Sequence, residues 1–227
     1  MSNFNRKRYV IGDIHGCINT LKKMIQDALH ITKADEIFLL GDYIDRGPDS
    51  KAVIDYIMLM QESGYSVHCL MGNHEKLLLD ALESSANESI WAYNGSYQTL
   101  KSFGISSSSQ LKSKYVNFLN TLHYYFELDD FIIVHAGLNF NTPDPLSDTN
   151  AMLWIRDENV DISKIKNRKI VCGHTPLPLN RIRQTLNTDK IMLDGGCVYH
   201  NKHNGLGKLV ALELNSMALT AVECIDI

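Results

Sequence analysis

No stretch of this chain is apolar for long enough to cross a bilayer, and the polar, basic start Met1–Lys7 is followed by no hydrophobic signal core. The expectation is a soluble, unexported protein with no membrane partner. Excess positive charge is missing as well: 22 Lys and Arg against 26 Asp and Glu give a formal charge of -4. That balance supplies no global attraction to a nucleic acid polymer or to anionic lipid, so any phosphate affinity has to come from a local positive site, which metal ions would provide. The five cysteines, Cys17, Cys69, Cys172, Cys197 and Cys224, form neither CxxC pairs nor a disulfide-dense pattern. A reducing, cytoplasmic setting fits that usage. No long-period repeat is present.

What the chain does have is one rhythm, five times over. Arg8–Ile11 runs into Gly12-Asp13-Ile14-His15-Gly16, and Ile37–Leu40 into Gly41-Asp42-Tyr43-Ile44-Asp45-Arg46-Gly47. Val67–Met71 meets Gly72-Asn73-His74-Glu75, Phe131–Val134 meets His135-Ala136-Gly137, and Ile170–Cys172 meets Gly173-His174-Thr175. Short aliphatic runs closed by glycine read as buried strands, and α/β proteins gather site residues in the loops beyond strand ends. Hard oxygen and imidazole donors are therefore expected to converge on one place.

Length and composition, 227 residues with 44% hydrophobic content, suit a single domain over residues 1–227 with a substantial core. Helices alternate with the strands. Asn19 can cap a helix through Leu21, Met24, Ile25, Ala28 and Leu29, and Asp49 or Ser50 can cap another through Val53, Ile54, Ile57 and Met58. A third is expected to start at His74, which places Asn73-His74 at a strand-to-helix turn. The first half thus reads β-α-β-α-β. Around residues 84–127 the pattern loosens into a polar, aromatic segment with Trp91, Tyr93 and Tyr97, read as a cap or lid. Its run Ser106–Ser109 reads as a plain turn. Lys208–Leu214 and Ala218–Ile225 alternate as a hairpin across Asn215-Ser216-Met217, so the fold class is mixed α/β (α+β) rather than purely doubly wound.

Asp13 and His15 lie two apart on an irregular turn, so both can face one cation, with Asp42 from the neighbouring strand. Asn73, His135 and His174 come from three further strand ends and would surround a second. Asp42 is the natural bridge, since a carboxylate has two oxygens to share. Two such ions about 3.5–4 Å apart can hold a hydroxide and clamp an in-line phosphoryl displacement, which predicts phosphate ester hydrolysis. The donor set contains no thiolate; Mn2+ is favoured, while iron and zinc also fit. His74, beside Asn73, is placed to donate a proton to the departing alkoxide, with Asp45 orienting it. Arg46 and Arg156 can fork around phosphate oxygens, and Asn73 lies within reach of the same phosphate. His30, His68, His123, His200 and His203 read as ordinary, Cys17 as a packed thiol, and Trp91, Tyr93 and Tyr97 as cap packing or as stacking surfaces.

Together these motifs resemble the phosphoprotein phosphatase (PPP) family of calcineurin-like metallophosphoesterases, with a match spanning nearly the whole chain. The small size, Asn94-Gly95, the segment Thr99–Gly104 and the run Asp194–Tyr199 are similar to the bacterial and phage-type serine/threonine protein phosphatases. The resemblance implies a central β-sandwich flanked by helices, a dimetal site at the C-terminal ends of strands, and the roles given above. His135-Ala136-Gly137 departs from the His-Gly-Gly usual in eukaryotic members, and their longer C-terminal regulatory region has no counterpart. The expected substrates are phosphorylated proteins or peptides, with small phosphate esters besides. A symmetrical dinucleoside tetraphosphate hydrolase shares the five motifs and is the alternative. A non-catalytic scaffold ranks last, because no ligand or acid position is lost. Oligomeric state is not legible.

Overall fold

The computed structural model describes residues 6–157, 159–200 and 205–227. His203 and the start Met1–Asn5, both read above, lie outside that set.

The apolar runs become strands in two sheets. The first half alternates β1 (Arg8–Ile11), α1 (Ile18–Lys22), β2 (Glu36–Leu39), α2 (Ser50–Glu62), β3 (Ser66–Cys69) and α3 (Asn73–Ala81). The strands β3, β2 and β1 pair in parallel, and the C-terminal hairpin of β8 (Lys208–Glu213) and β9 (Ala218–Glu223) joins antiparallel to β1. The sheet order is β3-β2-β1-β8-β9. The second sheet runs β4-β5-β6-β7, from β4 (Tyr125–Glu127), β5 (Phe131–Val134), β6 (Lys169–Cys172) and β7 (Lys190–Met192). Two further helices, α7 (Thr149–Trp154) and α8 (Leu179–Thr185), interrupt this half.

Strand periodicity separates the core into layers, because successive side chains point to opposite faces. Val10, Phe38, Val210 and Leu212 of the first sheet pack with Phe131, Ile133, Val171 and Ile191 of the second. Their sequence neighbours Ile11, Ile37, Leu39 and Ala211 face outward onto Leu21, Val53, Ile57 and Leu77 of α1–α3. Ile132, Val134 and Ile170 face the other way, onto Met152 and Ile165. The result is a two-sheet sandwich with helices outside both sheets, the mixed architecture expected.

Two local readings shift. Cys17, not Asn19, precedes α1, which continues as a π-helical turn over Lys23–Ala28; Asp49 caps α2 by accepting from the Ala52 N–H at 2.9 Å. The segment read as loose is helical: α4 (Ser85–Tyr93), α5 (Ser96–Phe103) and α6 (Ser113–Asn120). Ser108, in the serine run, is buried, its N–H donating to Glu88 and its hydroxyl to the Ala81 carbonyl. His68 packs against Phe38, and His123 against Phe126.

Candidate active site

Each expected ligand follows a strand. Asp13 and His15 lie beyond β1, Asp42 beyond β2, Asn73 beyond β3, His135 beyond β5 and His174 beyond β6. All six are buried. The loops that carry them are tightly wound: His15, Asp42, Asp45, Arg46 and His174 adopt positive φ between 46° and 69°. Left-handed backbone is costly for a residue with a Cβ, and its concentration here marks a site that the surrounding fold over-determines. Glycine is needed where loops touch. A Cβ on Gly72 would lie 2.2 Å from Asp42 Oδ1, and one on Gly173 would lie 2.0 Å from Asp13 Oδ1.

The donors fall into two triads, His15 with Asp42 and His74, and Asp42 with His135 and His174, the ligand atoms of each lying within 4.8 Å of one another. Asp42 belongs to both. Its Oδ2 is 3.5 Å from His15 Nε2 while its Oδ1 is 3.6 Å from His135 Nε2. Asp13, expected beside His15, is instead turned so that its carboxylate accepts the His174 backbone N–H at 3.0 Å. It stands outside both triads.

Tautomers test whether these residues fit a cation. The His135 Nδ1 lies 2.8 Å from the Leu40 carbonyl and the His15 Nδ1 lies 2.8 Å from the Ile44 carbonyl. A carbonyl only accepts, so both Nδ1 atoms carry hydrogen, and each neutral ring turns an Nε2 lone pair inward, the arrangement typical of metal-binding histidine. His135 Nε2, Asn73 Oδ1 and His174 Nδ1 then form a triangle with sides of 3.0 to 3.2 Å. A single proton on His174 satisfies only one side. Donor atoms at right angles about 2.1 Å from a cation would be roughly 3 Å apart, so the triangle has the spacing of a coordination set. The His174 Nε2, also buried, has no hydrogen-bond partner among the described residues. The residues present fit divalent cations.

Burial drives the charges of the cluster. Desolvation pushes His15 and His174 down to about 3 and lowers His135, which keeps these imidazoles in the neutral, ligating form. Burial alone would raise Asp42, yet the carboxyl is held below the usual range, and of the four imidazoles around it only His74 has a raised pKa with which to carry the opposing charge. Asp13 is raised by burial and by the nearby Asp194 and Asp42. Such like-charge crowding is relieved by added positive charge.

His74 differs from its neighbours. Burial works against its protonation, yet Asp42 and Asp45 overcome it and raise the pKa. Its Nδ1 is 2.7 Å from Asp45 Oδ2, and its Nε2 is buried, unpartnered among the described residues and 4.0 Å from Asp42 Oδ2. Arg46 donates from Nη1 to His15 Nε2 at 3.0 Å. Arg156 follows α7 on the exposed side, and its charge lowers both His174 and Asp194.

Several site residues had no assigned role in the sequence. Glu75, buried at the start of α3, accepts the backbone N–H groups of Asp42, Tyr43, Ile44 and Gly72, tying two motif loops together. Trp91 of α4 donates from Nε1 to Asp45 Oδ2 at 2.8 Å, and Thr99 of α5 donates to Asp45 Oδ1 at 2.6 Å. Asp194, buried beyond β7, accepts from the Gly196 N–H, and burial with Asp42 pushes it up to about 7. Its signal was present: Ile191-Met192-Leu193-Asp194-Gly195 repeats the apolar-run-then-ligand rhythm a sixth time.

Residues 7–210 match the calcineurin-like phosphoesterases. The chain belongs to that family. Among curated relatives, serine/threonine-protein phosphatase 1 of Salmonella typhimurium is 38% identical over 90 residues, 40% of this chain and 39% of that protein. A symmetrical bis(5'-nucleosyl)-tetraphosphatase of Erwinia tasmaniensis is 37% identical over 71 residues, 31% of this chain and 25% of that one. The aligned stretch thus spans well under half of either relative. A crystal structure of a putative diadenosine tetraphosphatase superposes with a TM-score of 0.67 at 18% identity, covering 98% of this chain and 96% of that one. At that identity the likeness shows the calcineurin-like fold alone.

Proposed function

We propose that this calcineurin-like phosphoesterase is a dimetal phosphomonoester hydrolase acting on phosphoserine and phosphothreonine in proteins or peptides. The observation that carries the reading is the His74–Asp45 pair: a buried imidazole whose pKa is raised, held at Nδ1, with an Nε2 that is unpartnered among the described residues and 4.0 Å from the Asp42 carboxylate common to both triads. When bound, two divalent cations, Mn2+ by choice, polarise the phosphoryl oxygens and lower the pKa of a water. The protein's own residues do the rest. Asp42 shares its carboxylate between the triads; His15, Asn73, His135 and His174 would fill further ligand positions, and Asp13 would join them by turning from the His174 N–H that it accepts. Arg46 and Arg156 grip non-bridging oxygens with planar, charge-assisted hydrogen bonds, and the Asn73 amide lies against the same phosphate. His74 Nε2–H passes its proton to the leaving serine or threonine oxygen, while Asp45 fixes the ring and stabilises its charge. Helices α4 and α5 act as a cap over this edge: the Arg46 N–H donates to the Gly95 carbonyl at 3.2 Å, so the phosphate-gripping loop leans on the α4–α5 turn.

A second reading, symmetrical dinucleoside tetraphosphate hydrolysis, has its own support. Trp154 is 39% exposed with its ring 6.2 Å from that of His174, and Tyr97 is 68% exposed on α5, both suited to stacking on a nucleobase. Rates on a panel of phosphoserine and phosphothreonine peptides, compared with diadenosine tetraphosphate under the same Mn2+, separate the two. The proposal expects about a hundredfold preference in kcat/KM for a phosphopeptide. The same preference for the tetraphosphate would overturn it.

A further inference from the structure

Three of the five cysteines, read as unclustered in the sequence, meet behind the active site. Cys17 directly follows the loop of Asp13 and His15, Cys197 sits on the 3-10 turn Cys197–Tyr199 after Gly195-Gly196, and Cys224 follows β9. All three are buried, and their sulfurs lie within 4.8 Å of one another, with Cys17 and Cys224 at 3.8 Å. They stand in the apolar layer with Val198, Leu209 and Val222. Three sulfurs each about 2.3 Å from one ion would be roughly 3.8–4.0 Å apart in a trigonal or tetrahedral arrangement, so little movement is needed to reach that spacing. A disulfide, in contrast, could pair only two of the three.

We infer that Cys17, Cys197 and Cys224 form a second, separate metal site, a tris-thiolate cage for one soft thiophilic cation of the Zn2+ or Cu+ class. Thiolates select such ions over the hard cations suited to the carboxylate and imidazole donors of the catalytic edge. Binding replaces three S–H protons by one cation, and the released protons leave to solvent. The cage would staple the end of the C-terminal hairpin and the late glycine loop to the loop that carries Asp13 and His15. It is thus a structural clamp, and it stands whether or not the hydrolase reading holds.

Anaerobically reduced protein titrated with Cd2+ tests this, because a thiolate-to-metal charge-transfer band in the ultraviolet arises from sulfur ligation and not from the catalytic donors. With the catalytic positions first filled by saturating Mn2+, the expected result is a band that saturates at one equivalent of Cd2+. It should be lost or weakened by at least about a third in Cys17→Ser, Cys197→Ser and Cys224→Ser, and kept in Cys69→Ser. Cys197→Ala preserves apolar packing and replaces the serine variant should that one fail to fold. Competition of Zn2+ and of Cu+ against the bound Cd2+ then identifies the preferred ion. A band that is absent, or that survives in both Cys197 variants, overturns the inference. So does ready oxidation to a Cys17–Cys224 disulfide in protein that shows no band.

Discussion

His74 is fixed at Nδ1 and has no partner at Nε2 among the described residues, and that asymmetry gives its proposed role a direct readout. Replacing it as His74→Asn should cut turnover of alkyl phosphate esters by on the order of 10²–10⁴, and of a nitrophenyl ester far less, because an aryl leaving group needs no proton. Equal losses on both esters, with metal content unchanged, would refute the acid role. Glu75 is the second decisive residue. Its two oxygens face only N–H donors, so Glu75→Gln turns an amide NH2 toward them and should destabilise the fold by about 1–3 kcal/mol. Burial and Asp42 push Glu75 up to about 8 from 4.5. A raised folded pKa contributes stability that is full below 4.5 and lost as pH rises through about 8. The glutamine cannot titrate, so in metal-free protein the gap between wild type and variant should narrow from pH 6 to pH 9 in denaturant melts. A widening gap would contradict the assignment. The proposed ligand residues were legible as a group because each ends an apolar run. Glu75 was not, because its partners are backbone N–H groups from another loop, which no side-chain pattern encodes.

Among elements, the segment read as a cap, residues 84–127, is where sequence and structure differ most. Its helices are eight or nine residues long and rich in Ser and Asn, so no long apolar stripe announces them. Trp91 shows the consequence. It reads equally as packing or as a stacking surface, yet it is buried and donates to Asp45, while Tyr93 and Tyr97 are exposed. Helices α4 and α5 therefore reach the His74–Asp45 pair directly, through Trp91 and Thr99 at the two Asp45 oxygens. Trp91→Phe keeps most of the packing and removes the donor. It should lower kcat for alkyl esters about tenfold with KM nearly unchanged, and spare aryl esters. A rise in KM alone would place Trp91 in substrate binding instead. By contrast, β1–β3 and the β8–β9 hairpin follow the sequence to within a residue or two, since period-two and apolar-run patterns act locally.

For the whole molecule, the two sheets place six strand-end donors at one edge, where buried acids crowd and inward lone pairs face one another. Cations that bind the folded chain alone should raise its stability by mass action, so chelation should lower the Tm and added Mn2+ restore it. Asp42 is the joint between the two halves of that edge, and Asp42→Asn should weaken both positions together, seen as less than one Mn2+ retained where wild type retains two. The pairing of cations across Asp42 is tested most directly by titrating chelator-stripped protein with Mn2+, to which the thiol trio has little affinity, while following nitrophenyl phosphate hydrolysis. The account predicts no turnover without metal and a rate that stops rising only at two equivalents. Full turnover at one equivalent, or under exhaustive chelation, would contradict it.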